Sequence, residues 1–224
     1  MTRFLLPATL AAVLVAGGGW FLGQPVQTPT GLSLPGAAMA QEAAAPTEAV
    51  EIADMTLGAE DAPVEVIEYA SYTCPHCARF HEEVFDQLKA DYIDSGKVRF
   101  TYREVYFDKY GMWASLVARC GGQEKFFGIT DMIYAGQNTW ARAGADGAIA
   151  DGLRKIGLLA GLDKDQLEAC LTDGEKLRSL VGWYQENATA DDVSSTPTFI
   201  IDGEKYSNMP YDEFRKVLDD KLGE

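Results

Sequence analysis

Positive charge is scarce in this chain. Its 224 residues carry 19 lysines and arginines against 34 aspartates and glutamates, for a net charge of -15. Such a surface repels phosphate and argues against nucleic acid as a partner. Beyond that, an acidic excess speaks to solubility rather than to function. Histidine is scarcer still, at two residues, His76 and His81. Four cysteines are present but no second Cys-x-x-Cys motif, so a structural zinc site, which needs four ligands, is short of donors. There is no phosphate-binding glycine loop, no calcium-loop motif and no internal repeat. A hydrophobic content of 47% and a charged content of 24% exclude a disordered chain. The length suits one domain with a real core, or one domain carrying a large insertion.

What is there begins with a targeting segment. Arg3 precedes an uncharged apolar stretch over 4–22, the form of an export signal. Ala38-Met39-Ala40 before Gln41 has the small-x-small pattern of a cleavage site. The long gap over 23–37 leaves a second reading open, an uncleaved membrane anchor. The apolar stretch approaches the ~20 residues that span a bilayer, although Pro7 and Gly17-Gly18-Gly19 weaken such a helix. On either reading residues 1–40 send the rest of the chain out of the cytoplasm, where disulfides persist. Residues 41–62 are rich in Ala, Glu, Pro and Thr and read as a linker, with a short edge strand near 50–52.

Val64-Glu65-Val66-Ile67-Glu68-Tyr69 is a β-branched run too apolar for a sheet with one wet face, so it predicts a central strand. A helix follows from Cys74. Pro75 suits its first position, because the missing N–H has no partner there anyway. Phe80, Val84, Leu88 and Tyr92 form a stripe at every fourth residue. Val98, Phe100 and Tyr102 alternate with Arg99, Thr101 and Arg103, a second strand that completes a right-handed βαβ unit. Residues 108–174 are helical in pattern. Leu177, Leu180, Val181 and Tyr184 mark a further helix, Thr198-Phe199-Ile200-Ile201 a strand, and Asp202-Gly203 a hairpin turn. A last helix follows Pro210.

The stretch Ser71-Tyr72-Thr73-Cys74-Pro75-His76-Cys77 carries the chemistry. Cys74 stands at the helix start, where unpaired N–H groups and the positive end of the dipole favour an anion. A thiol so placed is expected to be exposed and acidic, with a pKa in the ~3.5–7.5 range. His76 is expected to help, by a hydrogen bond or a nearby positive charge. Cys77, one turn inside, is the less exposed resolving partner. A stabilised thiolate stabilises the dithiol and makes the disulfide oxidising. The competing reading is a metal site using both cysteines, with His76 and His81 close by.

With the helical block lifted out, the order βαβ then αββα is that of thioredoxin. The chain resembles the DsbA family of thiol oxidoreductases, an α/β thioredoxin-like fold with an inserted α-helical domain. Cys74-Pro75-His76-Cys77 has the family's own central dipeptide, Glu68 stands six positions before Cys74, and Thr196-Pro197 precedes a strand. The resemblance implies a thioredoxin-like domain over 63–107 and 175–224, with the inserted helical domain over 108–174. It also implies that Glu68 is a buried acid exchanging protons with Cys77, although a strand-end carboxylate facing solvent is the bland alternative. Pro197 would follow a cis bond that turns the backbone of Thr196 toward substrate. The resemblance also implies that Cys74 is an acidic, nucleophilic thiol. No cofactor is implied, since the cysteines carry the electrons. The implied partners are reduced exported proteins and a membrane, quinone-linked oxidase of the DsbB type, in the periplasm. In such a compartment Cys120 and Cys170 are expected to form a structural disulfide, worth ~3–4 kcal/mol by loop entropy; two buried free thiols are the alternative. Three rival functions stand beside the oxidase: an isomerase or reductase of the same fold, a metal- or copper-handling protein, and a non-catalytic binder of unfolded chains.

Overall fold

The computed structural model describes residues 50–224. The targeting segment over 1–40, its cleavage pattern at Ala38-Met39-Ala40 and the linker residues 41–49 lie outside the described residues.

Five strands form one sheet, ordered β1-β3-β2-β4-β5. They are β1 (Met55–Leu57), β2 (Val64–Ala70), β3 (Val98–Glu104), β4 (Thr198–Ile201) and β5 (Glu204–Ser207). β2 and β3 are parallel, while β1 on β3, β4 on β2 and β5 on β4 are antiparallel. The sequence places an edge strand near 50–52, inside a linker over 41–62. The strand instead lies three residues or more further on, at Met55–Leu57, so this part of the stretch is sheet rather than tether. The reason is burial: Met55 sits in the main core, whereas Val50 is 40% exposed. Val50 stays attached all the same, its N–H donating to Ser179 Oγ at 3.0 Å.

The helix after β2 is one continuous rod over 75–93. It begins as α1 (Pro75–Phe80), widens into a π-helical turn at His81–Phe85, returns to α2 (Asp86–Leu88) and widens again at Lys89–Ile93. Its inward side holds Cys77, Phe80, His81, Val84, Phe85, Leu88 and Tyr92, which includes the whole stripe read from the sequence. Phe80 packs against Phe199 of β4 at 4.7 Å between ring centres, and Phe199 against Phe214 of the last helix, α9 (Tyr211–Leu222), at 5.0 Å. Burying such rings supplies the main stabilisation of this face, roughly 3–5 kcal/mol per ring on truncation.

Between β3 and α8 (Gly174–Ala190) come α3 (Lys109–Cys120), α4 (Gly122–Ala135), α5 (Gln137–Trp140), α6 (Asp146–Leu159) and α7 (Lys164–Leu171). Phe126, Phe127, Ile133 and Tyr134 of α4 join the same core as the rod. α8 covers the opposite face of the sheet, where Tyr184 and Ala188 pack with Tyr69, Val105 and Ile200. A fully buried ion pair ties sheet to helices: Arg119 of α3 donates to both oxygens of Glu104 at 2.6 and 2.7 Å. The hairpin turn holds both Asp202 and Gly203 at positive φ, 46° and 79°, as an Asp-Gly pair in a two-residue turn requires.

Candidate active site

The strand β2 ends at Ala70, and four residues later the chain enters α1. Cys74 is the N-cap residue, with extended backbone, and Pro75 follows in the first turn. Three side chains fix this short loop. Asp108 caps α3 by accepting from the N–H groups of Tyr110 and Gly111, and its other oxygen accepts from Thr73 Oγ1 at 2.8 Å. Gln137 Nε2 donates to the carbonyls of both Tyr72 and Cys74, at 2.9 and 3.0 Å. Opposite Cys74 runs the loop before β4. The Thr196–Pro197 bond is cis, and the Thr196 carbonyl lies 3.5 Å from Cys74 Sγ, which donates to it. The Thr196 hydroxyl is buried and makes no hydrogen bond of its own.

Cys74 and Cys77 are free thiols. Cys77 is fully buried, and Cys74 is only 7% exposed. The sequence reading expects an exposed Cys74; the Thr196–Pro197 loop on one side and the Gln137 clamp on the other narrow its access to solvent. The two sulfurs differ sharply in acidity. For Cys74 the largest influence is the hydrogen bond donated by the Cys77 thiol. Burial opposes it, while the backbone N–H groups of Cys77 and His76 reinforce it. The balance lowers Cys74 from the ordinary 9.0 to about 5. Cys77 goes the other way: burial pushes it far up, and its bond to Cys74 and the charge of Glu68 push further. His76 is exposed, and its part in favouring the anion is played by its backbone N–H rather than by its ring.

Glu68 is completely buried at the centre of the sheet, paired in register with Tyr102 on one side and Phe199 on the other. It does not face solvent. Its partner is His81, whose Nε2 lies 3.0 Å from Glu68 Oε2. The histidine that a metal site would recruit is thus engaged inside the core. Sequence reasoning missed this pair, together with the Gln137 clamp and the Thr73–Asp108 tie. His81 carried one signal, a polar residue beside Phe80 in the buried stripe; Gln137 carried none. Cys120 and Cys170 lie apart from this site and are joined, with their α-carbons 5.8 Å apart.

A dithiol at the start of the first long helix, faced by a cis-proline loop and underlain by a buried acid, defines the thioredoxin-fold class of redox proteins. A thioredoxin family model matches residues 50–220. The chain belongs to that family, in its DsbA-like form with helices inserted between β3 and β4. The crystal structure of Wolbachia pipientis α-DsbA1 superposes with a TM-score of 0.70 at 27% identity, covering 79% of this chain and 94% of that one. A Rickettsia bellii protein provisionally named protein-disulfide oxidoreductase is 31% identical over 76% of this chain and 65% of its own length. Disulfide bond formation protein D of Bacillus subtilis is 26% identical, covering 74% of this chain and 76% of the relative. The match thus spans less than two thirds of the rickettsial relative.

Proposed function

We propose that this protein is a dithiol–disulfide oxidoreductase that introduces disulfide bonds into exported proteins. The observation that carries the proposal is the placement of Cys74 at the N-cap of α1 opposite the cis Thr196–Pro197 loop, with Cys77 buried one turn in; the acidities of the two thiols, lowered at Cys74 and raised at Cys77, agree with it. A substrate thiolate attacks Cys74 Sγ of the oxidised pair. The Cys74–Cys77 bond breaks, Cys77 leaves as a thiolate and takes up a proton, and a mixed disulfide forms. A second substrate thiolate then attacks the substrate sulfur of that mixed disulfide. The substrate disulfide forms and Cys74 leaves as a stable thiolate. Two electrons have passed from substrate to enzyme.

In this reading Glu68 is the proton donor and acceptor for Cys77, the role its burial beneath the pair suits. Pro75 starts the helix that presents Cys74, and His76 lends its N–H. Thr196, ahead of Pro197, offers its backbone to an extended substrate segment, as in strand addition. The disulfide Cys120–Cys170 is structural. Residues 1–40 export the chain to the periplasm as a signal or anchor. There a membrane oxidase of the DsbB type, linked to quinone, restores the disulfide. Residues 63–107 and 175–224 act as the thioredoxin-like domain and 108–174 as its helical insert.

The test is an equilibrium of the Cys74–Cys77 pair against glutathione, with Cys77→Ser as a trap. An oxidase gives a poise well above the glutathione range, and Cys77→Ser glutathionylated at Cys74 exchanges with a peptide thiolate, which releases glutathione and leaves a Cys74–peptide mixed disulfide. A poise near that of thioredoxin returns the isomerase or reductase reading. Metal retained by the wild type and lost with Cys74→Ser returns the metal-handling one. Activity that survives loss of both cysteines returns the binder of unfolded chains.

A further inference from the structure

Glu68 and His81 form a buried pair with two loose ends. His81 is 3% exposed and Glu68 not at all. Only one oxygen of Glu68 is engaged, Oε2 with His81 Nε2; Oε1 is buried and without a hydrogen bond. An unpaired buried carboxylate oxygen costs free energy and calls for an explanation. On the other side of the imidazole, Nδ1 also lacks a hydrogen bond. It lies 3.8 Å from Asp131 Oδ1, too long for such a bond but within Coulombic reach.

The surroundings hold the ring in one orientation. It stacks on Tyr134 at 4.4 Å between centres and lies against Phe85 at 4.7 Å, with Tyr102 edge-on at 6.0 Å. The π-helical turn begins at His81 itself. Such turns recur at functional positions in helices. The outer edge of the ring borders a surface cavity of about 490 Å³, lined also by Asp131, Glu82, Asp86 and Asn138. The groups facing His81 are therefore Glu68 from β2, Tyr102 from β3 and Asp131 and Tyr134 from α4, with Glu82 and Asp86 on its own rod. No cation is among them.

We propose that His81 is a positioning residue for the thiol chemistry: as a buried cation it holds Glu68 by Oε2 and leaves Oε1 free to exchange one proton with Cys77. This rests on the oxidoreductase reading above. In the substrate half-reaction Glu68 gives its proton to the departing Cys77 thiolate and becomes a carboxylate paired with His81. In reoxidation Cys74 is first joined to a sulfur of the oxidant; the Cys77 thiol then returns that proton to Oε1 as its sulfur attacks Cys74 Sγ and the oxidant's sulfur leaves as a thiolate. One proton moves back and forth, and neither half needs a further donor. Burial alone would strip His81 of its charge; the charge of Glu68, supported by Asp131, more than reverses this and holds it at about 9. The counter-charge is thus present throughout the neutral range and lost above it.

The test follows single-turnover oxidation of the reduced full-length protein by oxidised glutathione, from pH 6 to 10. It separates mixed-disulfide formation at Cys74 from its resolution by Cys77. In the wild type, resolution should change its pH dependence near pH 9. Asp131→Asn, at a half-exposed position, should move that inflection to lower pH. His81→Gln should remove it and slow resolution by about tenfold or more, leaving the Cys74 thiolate titration and the first step unchanged. If the wild type turns over and both variants keep its pH profile, the role of His81 is refuted. If His81→Gln does not fold, the inflection in Asp131→Asn decides alone. A wild type that forms no mixed disulfide at all refutes the oxidoreductase reading, and the role of His81 falls with it.

Discussion

The acidity of Cys74 fixes how the redox equilibrium must respond to pH. Its thiol is lowered from 9.0 to about 5. At pH 7 an ordinary thiol is about 1% ionised, whereas this one is about 99% ionised. The ratio is about two decades, or ~2.7 kcal/mol in favour of the dithiol. Water at the mouth of the site screens part of that, so ~2–3 kcal/mol is the working figure. For a two-electron couple this raises the potential by ~60 mV at most over a pair of ordinary thiols. Because the folded pKa is depressed, the stabilisation of the reduced form is complete above 9.0 and vanishes as pH falls through about 5. The slope of potential against pH reports the same thing. Because Cys74 stays a thiolate above about pH 5, the reduced pair holds one proton fewer there than below it, and the slope falls by ~30 mV per pH unit as pH rises through about 5. The assay is a glutathione equilibrium at half-unit steps from pH 4 to 8, with thiolate absorbance alongside. A slope with no break between pH 4 and 8, and no thiolate over that range, would refute the account of Cys74.

Other expectations are more local. Gln137→Leu removes the donor shared by the Tyr72 and Cys74 carbonyls; leaving them buried and unpaired should cost ~1–3 kcal/mol in denaturant unfolding and raise the Cys74 pKa by loosening its N-cap geometry. Cys120→Ser with Cys170→Ser should lower stability by ~3–4 kcal/mol while leaving the Cys74–Cys77 equilibrium with glutathione unmoved, since the second pair lies outside the site. His81 has a raised pKa, so its contribution to stability is full below 6.5 and is lost as pH rises through about 9. Unfolding midpoints should therefore fall across that window in wild type and stay flat in His81→Gln.

Much of the fold was legible because its elements obey simple periods. Phe80, Val84, Leu88 and Tyr92 at every fourth residue marked the rod, and the dense apolar run of β2 correctly implied a strand covered on both faces. β1 was misplaced because three residues are too few for a period to show; what fixes Met55–Leu57 is pairing with Leu57↔Phe100 and Met55↔Tyr102 across the sheet, which is long-range. The same limit hid the clamps on the active loop. Gln137 reaches carbonyls 65 and 63 positions away, and nothing in its own neighbourhood distinguishes it from a surface amide. His81 was visible only as an oddity, and was weighed as a metal ligand because adjacency in sequence to Cys77 suggested it.

Burial of Cys77 and the hydrogen bond it gives Cys74 explain why two cysteines three positions apart can have opposite acidities. A helix start favours an anion at its N-cap, and that effect falls off within the first turn. Cys77 sits one turn in, where it gives its proton toward Cys74 and meets the negative field of Glu68 from below. The two thiols thus act on each other in opposite senses: the proton that Cys77 retains stabilises the Cys74 anion, and that anion disfavours ionisation of Cys77. Glu68 beneath the pair adds to the field that disfavours a Cys77 anion, and its buried partner is His81. Among the described residues that line the cavity beside His81 there is no lysine or arginine, and the imidazole is the basic group against Glu68. The asymmetry on which directional disulfide exchange depends is therefore set by four groups on two elements, β2 and the helix that follows it, with the Thr196–Pro197 loop closing the site from across the sheet.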